Sequence, residues 1–267
     1  FPTTFEDMIQ CAKDCYDLES TSMGMNPLSP WLDNVLWPSM TEASWNDADG
    51  NPVFDSEAMR LAYSAQKELI DYQGGYAVAT GWESDFGPAR GSVTDPILTG
   101  EAGFLLLPDS AISSIYNAGV EAGYAYGEDW GIARVPGKSM FTAAVYEMNA
   151  KTKNPEASWE VMSYLNSKEA MTYLAEGEKG VGALMPRKSA LDALSEKEGV
   201  CDALKEVAVL LKEADLQSFP MSGYVNEYLG AIGNNMTAYM EGTMDMDTAV
   251  SNIQEEVQAA ADAFNGK

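Results

Sequence analysis

The chain has 267 residues, of which 46% are hydrophobic and 21% are charged, as in ordinary folded proteins rather than disordered ones. Its 16 basic and 41 acidic residues give a net charge of -25, and a field of that sign repels nucleic acids and anionic membrane surfaces. The sequence contains no histidine, which excludes Ser-His-Asp and Cys-His catalysis and histidine-bearing zinc sites. Enzyme hypotheses are therefore confined to carboxylate, lysine, tyrosine and cysteine chemistry.

The cysteines, Cys11, Cys15 and Cys201, allow at most one disulfide, so they leave the redox compartment open. Cys11 and Cys15 share a face of a predicted helix without other metal ligands beside them, which favours packing over a zinc or redox motif. No stretch approaches the ~18 consecutive apolar residues of a membrane span, and Phe1-Pro2 does not open a signal peptide. We therefore expect a soluble chain with no metal and no cofactor.

The first part of the chain predicts a helix followed by irregular, aromatic structure. Thr3 and Glu6 fit a capping box, and apolar residues follow at helical spacing. Residues 19–54 carry three tryptophans and several prolines, which predicts irregular structure. The Asp49-Gly50 pair within them indicates a tight turn in a small hairpin.

The middle of the chain predicts a buried strand with polar residues at its end. A helix over 56–72 and a glycine-rich loop over 73–94 precede this strand. Residues 102–107 are continuously apolar, which is typical of a strand covered on both faces in an α/β sheet. Asp109 and Ser110 follow as a predicted helix cap. Ligands of open α/β sheets bind at the carboxyl ends of strands, so this edge is a candidate binding site.

The remainder predicts two more strands and then mostly helices. The strands are expected at 130–135 and 143–148, and two short helices at 155–165 and 168–174 are divided near Asn166-Ser167. Trp130 and Trp159 have apolar neighbours and are expected in the core. Three further helices are predicted near 199–213, 222–242 and 247–265.

Five motifs follow one another in a characteristic order between Gly100 and Ala190. They read GEAGFLLLPDS, EDWGIARVPG, FTAAVYEMNA, KNPEASWEVMSYLNSKEAMTYL and GALMPRKSA. In this order they resemble the second half of an extracellular solute-binding protein of an ABC importer, of the family-1, maltodextrin- or sugar-binding type. The resemblance implies an α/β fold of the periplasmic-binding-protein-like (type II) kind, with a mixed sheet flanked by helices and a helix-rich C-terminal half.

The same resemblance implies a function and a domain organisation. Members of the family are not enzymes: they hold a small solute, often a saccharide, in a cleft between two lobes and deliver it to the transmembrane subunits of an ABC permease. Residues 1–140 and 190–267 would form the C-terminal lobe, and residues 141–189 would cross to an N-terminal lobe that is mostly absent from this sequence. The full-length protein would be extracytoplasmic, as a cell-surface lipoprotein or in the periplasm, and monomeric.

Carbohydrate binding uses aromatic rings that stack on C–H faces and polar groups that bind hydroxyls. By resemblance, aromatic ligand contacts fall on Trp31, Trp37, Trp82 and Tyr224. Asp109 and Ser110 occupy a turn where many members place a tryptophan, which favours a polar contact there. Packing explains the four aromatic residues equally well, and Asp109 and Ser110 are also explained as a helix cap alone.

Two other functions remain open from the residues. A carbohydrate-active hydrolase would use paired carboxylates about 5–9.5 Å apart, and a chain with 41 acidic residues contains many such pairs by chance. No motif singles one pair out. A structural or adhesion protein would leave the buried strand and its polar edge unexplained.

Overall fold

The computed structural model describes residues 1–19, 22–28, 33–142, 145–176, 184–219 and 222–266. The first half contains α1 (Phe5–Asp14), β1 (Met23–Met25), α2 (Asp33–Met40), α3 (Glu57–Tyr72), α4 (Tyr76–Phe86), α5 (Pro96–Thr99), β2 (Ala102–Phe104) and α6 (Ile112–Ala122). The second half contains β3 (Ser139–Met140), α7 (Pro155–Leu165), α8 (Lys168–Ala175), α9 (Lys188–Ser195), α10 (Asp202–Glu213), β4 (Leu216–Gln217), α11 (Val225–Met240) and α12 (Met246–Phe264).

The strands form two short parallel pairs within the described part of the chain. Strand β1 pairs with β2, and Met25 lies opposite Phe104. Strand β3 pairs with β4, and Met140 lies opposite Gln217. The resemblance predicts a mixed sheet, and the described structure has two parallel pairs of strands flanked by helices. The strand predicted over 102–107 covers only its first three residues.

The main core joins the two ends of the chain. Side chains of α3, α11 and α12 pack there against the predicted hairpin, whose antiparallel bridge between Asn46 and Pro52 confirms the turn. The Gln254 side chain of α12 accepts a hydrogen bond from the backbone N–H of Phe54 at 2.7 Å and donates one to the Pro52 carbonyl at 3.0 Å. Residues about 200 positions apart therefore belong to one packed unit.

Helix α1 lies directly against the backbone of β1 and β2. A Cβ atom at Gly24 would come within 1.7 Å of the Ala12 carbonyl oxygen, and one at Gly103 would come within 2.6 Å of the Cys15 Cβ. Only glycine permits such a close approach of helix to strand. This contact fixes α1 on one face of the β1–β2 pair.

The predictions of one loop and two strands differ from the structure. The glycine-rich loop predicted over 73–94 contains helix α4, because burial of Ala79 and Trp82 outweighs the weak helix propensity of its glycine. Within residues 130–135 only Trp130 forms a bridge, to Tyr126, and there is no strand. Residues 145–148 lack a neighbouring strand in the described structure. Residues 143 and 144 lie outside the described residues.

The two tryptophans expected in the core have different environments. Trp130 is buried, which confirms the prediction. Trp159 is 63% exposed, so the prediction for it is wrong. It lies on α7, a helix with no buried residue.

Among the described helices, none is long and apolar enough to span a membrane.

Candidate functional site

The parallel pairing of β1 with β2 brings the ends of both strands to one edge. Because Met25 and Phe104 are partners, the segments 26–28 and 105–110 both begin at this edge. We call these two segments the carboxyl edge. Ligands of open α/β proteins bind in this position, so the carboxyl edge is the candidate site.

Asp109 and Ser110 lie at the carboxyl edge in a short 3-10 turn and do not cap α6. The N-cap residue of α6 is Ala111, which makes no side-chain capping hydrogen bond. The Asp109 carboxylate instead accepts a hydrogen bond from the backbone N–H of Leu184 at 2.5 Å. Burial raises the pKa of the Asp109 carboxyl, and the hydrogen bond from Leu184 opposes this effect. The prediction that Asp109 and Ser110 cap the following helix is therefore wrong. Ser110 is exposed at the carboxyl edge.

Trp82 packs beside the carboxyl edge from α4. It is buried in a cluster with Met23 and Ala102, against which Phe86 and Leu105 also pack. Its ring centroid lies 5.1 Å from that of Phe86, and its indole N–H is buried without a hydrogen-bond partner. The indole thus supports the edge from within, and a stacking contact with a ligand stays a prediction.

A polar cluster next to Trp82 links α4 to the end of β1. The Arg90 guanidinium donates two hydrogen bonds to the Glu83 carboxylate, at 2.8 and 2.5 Å. The Asn26 side-chain amide donates a third, at 2.5 Å. Since both side chains of the ion pair are only about one-fifth exposed (18% for Glu83 and 23% for Arg90), solvent screens this pair less than a surface pair.

The other predicted ligand residues lie in different places. Trp37 is 1% exposed and meets Phe5 edge to face, with ring centroids 6.1 Å apart, but its N–H reaches the carboxyl edge. Tyr224 is buried in the main core with its ring 6.2 Å from that of Phe264. Trp31 lies outside the described residues. Trp82 thus meets the edge at Leu105, Asp109 and Ser110 lie farther along the same segment, and Tyr224 belongs to another cluster.

Sequence reasoning missed the polar residues around the end of β1, which are Asn26, Gln66, Gln73, Glu83 and Arg90. They come from four separate parts of the chain, and no short motif contains them. One local signal could have pointed to this cluster. Asn26 directly follows the short apolar strand β1, and ligands of α/β sheets bind at such strand termini. Gln66 lies in α3 and Gln73 directly follows that helix, and only the tertiary structure reveals that both are buried.

Two cavities lie beyond the predicted ligand residues, none of which lines either of them. One, of about 800 Å³, is lined by α7, α8 and α9 and includes the exposed rings of Tyr164 and Tyr173. The other, of about 560 Å³, is polar and lies between α6 and the turn before α10. A search of the described residues finds no group of three or more Cys, Asp or Glu side chains arranged to hold a metal ion.

No protein-family model matches the sequence, and no curated protein matches it. Solved structures do match the fold. They include maltose-bound MalE3 of T. maritima, with 19% identity, a TM-score of 0.69, and coverage of 97% of this chain and 66% of that one. A putative oligosaccharide periplasmic-binding protein of Synechococcus sp. MITs9220 shows 16% identity, a TM-score of 0.69, and coverage of 99% and 67%. An ABC transporter solute-binding protein of Agrobacterium radiobacter K84 in complex with ribitol shows 20% identity, a TM-score of 0.65, and coverage of 97% and 65%.

These matches run over nearly the whole chain, and they confirm the fold class. The protein has the periplasmic-binding-protein-like α/β fold of ABC transporter solute-binding proteins. The chain spans about two thirds of the length of the structures that it matches.

Proposed function

We propose that this chain is part of the ligand-binding component of an ABC importer, which captures a saccharide or a related polyol without chemically changing it. The observation that carries the proposal is the fold match over 97–99% of the chain to proteins described as maltose-bound and as a putative oligosaccharide-binding protein. The net charge of -25 agrees with a ligand that carries no negative charge, because an anion would be repelled.

The ligand would lie over the carboxyl edge. Asp109 and Ser110 would bind hydroxyl groups, since a carboxylate accepts hydrogen bonds and a serine hydroxyl both donates and accepts them. Trp31 and Trp82 would supply apolar ring surface there, whereas Tyr224 lies in the main core, apart from this edge. The position of Trp82 beside Leu105 supports its assignment to this wall.

We further propose that residues 1–140 and 190–267 form one lobe, while residues 141–189 belong to a second lobe that this sequence only partly contains. The shared core of the hairpin, α11 and α12 supports the first part. The second part is supported by the apolar side chains that are exposed between residues 145 and 173, which are Val145, Tyr146, Met148, Trp159, Val161, Tyr164 and Tyr173. An apolar surface of this kind marks a binding interface.

The proposed partners and location follow from the same assignment. The complete protein would be a monomer outside the cytoplasm, in the periplasm or anchored to the cell surface as a lipoprotein. It would deliver its ligand to the transmembrane subunits of the permease, which read the closure of the two lobes.

The ligand proposal is tested by a thermal-shift screen of the longest chain that the gene encodes. Maltose, mannobiose and ribitol are compared with amino acids and polyamines. A bound ligand at a hundredfold excess over its dissociation constant stabilises the protein by about 2.7 kcal/mol, so we expect a clear shift with a saccharide or polyol. The variant Trp31→Ala should lose most of this shift.

The matched control is Trp159→Ala, which removes an indole on α7, outside the carboxyl edge. In the longest chain it lowers the baseline stability, because a second lobe would cover α7, and it should retain the ligand-induced shift. Binding of amino acids or polyamines alone would overturn the saccharide assignment and keep the binding function. An unchanged shift in Trp31→Ala would remove that residue from the ligand wall.

The lobe proposal is tested by amide hydrogen exchange of α7. In the 267-residue chain α7 has no buried residue, so its amides should exchange rapidly. In the longest chain they should be protected, because a second lobe covers the helix. Equal exchange in both chains would contradict the proposed division.

A further inference from the structure

Buried side chains hold the segment at residues 25–28, where β1 ends. Gln73, which is 1% exposed, pairs with Met25 as a neighbouring strand would. Its side-chain oxygen accepts the Met25 N–H at 3.1 Å, and its nitrogen donates to the Met25 carbonyl at 2.9 Å. A glutamine at the end of α3 thus completes the hydrogen bonding of the last residue of β1.

The next carbonyl is held by two donors. The Pro27 carbonyl accepts a hydrogen bond from the Gln66 side chain at 2.9 Å and one from the Trp37 indole N–H at 3.2 Å. Gln66 is 3% exposed and Trp37 is 1% exposed. Both lone pairs of this carbonyl are therefore used, by side chains from two different helices.

Asn26 fixes the segment from within and anchors it to α4. Its side-chain oxygen accepts the Leu28 N–H at 3.1 Å, and its nitrogen donates to Glu83, which Arg90 in turn clamps with two hydrogen bonds. Together with the contacts from Gln66, Gln73 and Trp37, these bonds restrain each residue from Met25 to Leu28.

Met25, Asn26 and Pro27 are themselves buried and Leu28 is half-buried, so water does not reach most of their backbone groups and protein partners must bind them. Buried amide side chains cost free energy unless they are fully hydrogen-bonded, and here their bonds are directed to one turn. Fixing a segment before a ligand arrives reduces the ordering cost of binding. The carboxyl edge is where such rigidity would act on a ligand.

We propose that the side chains of Trp37, Gln66, Gln73 and Asn26 form a clamp that fixes the buried residues 25–27 and thereby positions the half-buried Leu28 as a preorganised rim of the saccharide site. Trp37 is then a positioning residue that acts through its indole N–H on the Pro27 carbonyl. In this role the indole ring of Trp37 does not stack on the sugar. This inference rests on the proposed function and assigns to Trp37 a role different from the one that its resemblance implies.

The test uses the longest chain that the gene encodes and compares Trp37→Phe with Phe5→Leu. Trp37→Phe keeps an aromatic ring and removes the N–H donor. Phe5→Leu removes the ring that meets Trp37 edge to face and leaves the hydrogen bond in place. Both variants lower stability, so stability alone does not separate a clamp from ordinary packing. Gln66→Leu removes the second donor and serves if Trp37→Phe does not fold.

Two quantities are measured well below the unfolding temperature. The first is amide exchange of the peptide that contains Leu28, and the second is affinity for maltose, mannobiose and ribitol, each titrated separately. Loss of one hydrogen bond is expected to speed exchange about fivefold and to weaken binding about fivefold in Trp37→Phe. Phe5→Leu is expected to leave both unchanged.

Each outcome has a defined meaning. Unchanged exchange in Trp37→Phe would overturn the clamp, and faster exchange with unchanged affinity would overturn its role in the ligand site. Equal loss of affinity in Phe5→Leu would assign the effect to core packing and so overturn the positioning role. If the unaltered protein binds none of the three probes, the proposed saccharide function fails and the rim assignment fails with it. That result is distinct, because it appears before any variant is compared.

Discussion

Helices α12 and α7 differ in what covers their apolar side chains. On α12, Val250 and Ile253 are fully buried in the main core. On α7, Trp159 is 63% exposed and Val161 is 59% exposed, and the helix has no buried residue. An isolated helix of about 11 residues is only marginally stable in water.

The difference shows that the protein has two kinds of region. The packed body, formed by α1, α3, α11 and α12 with β1 and β2, buries its own apolar surface. The segment from 145 to 173 leaves apolar surface exposed in the described structure. Variants placed in each region should therefore respond differently.

The largest effect is expected where the packed body is tightest. Gly24→Ala would place a Cβ 1.7 Å from the Ala12 carbonyl oxygen, and the backbone must move to relieve the clash. Overpacking of this kind costs about 3 kcal/mol or more. Urea denaturation measures the loss in free energy of unfolding.

Gly81→Ala is the matched control. Gly81 lies within α4 and a Cβ there meets nothing within 4 Å, so alanine should stabilise the helix by up to about 1 kcal/mol. A tolerated alanine at position 24 would show that α1 does not lie as close to β1 as the structure indicates.

The second prediction compares valines on the two helices directly. Val250→Ala opens a cavity in a fully buried site and should lower the free energy of unfolding by about 2 kcal/mol. Val161→Ala changes an exposed site and should stay within about 0.5 kcal/mol. The difference is measured by denaturation of the 267-residue chain. Equal losses would mean that α7 is covered even in this chain.

The third prediction concerns buried and exposed tyrosine hydroxyls. The Tyr228 hydroxyl donates to the Val53 carbonyl at 2.9 Å and is buried, and burial raises the pKa of this phenol. Tyr228→Phe should cost about 1 kcal/mol, the usual net value of one hydrogen bond. Tyr164→Phe on exposed α7 should cost almost nothing. A neutral Tyr228→Phe would contradict the role of this hydroxyl in joining α11 to the hairpin.

Much of the helical framework was predictable from sequence. The break between α7 and α8, the hairpin at residues 45–54 and the long terminal helices each follow from local spacing and turn chemistry. The resemblance to solute-binding proteins likewise led to the observed fold class. These features depend on residues that are close together in the chain.

Long-range contacts were not predictable in the same way. Trp159 has the apolar neighbours of a core residue, and only the structure shows that its helix has no buried face. The Pro27 carbonyl receives donors from positions 10 and 39 residues away, and no local pattern encodes that meeting. The strand terminus after 102–107 therefore stays a predicted ligand site, while the buried polar side chains around the end of β1 were missed.

The smallest expected effect lies at the hydrogen bond that the Asp109 carboxylate accepts from the backbone N–H of Leu184. Burial raises the pKa of the Asp109 carboxyl in the folded state, so ionisation of this group opposes folding. Its favourable contribution is complete below the unfolded pKa and is lost as the pH rises through the folded pKa. Asp109→Asn keeps an oxygen for the Leu184 N–H and removes the charge. The variant should match the original protein at low pH and be slightly more stable at pH 7.

Asp245→Asn is the control of opposite sign. Asp245 caps α12 by accepting the Thr248 N–H, and this hydrogen bond lowers the pKa of its carboxyl. Its stabilising contribution is therefore present above the unfolded pKa and is lost as the pH falls through the folded pKa. Denaturation at several pH values should show Asp245→Asn losing stability at pH 7, where Asp109→Asn gains it. If both variants lose stability at pH 7, the charge of Asp109 itself strengthens the bond to Leu184, and desolvation is not the dominant effect at the carboxyl edge.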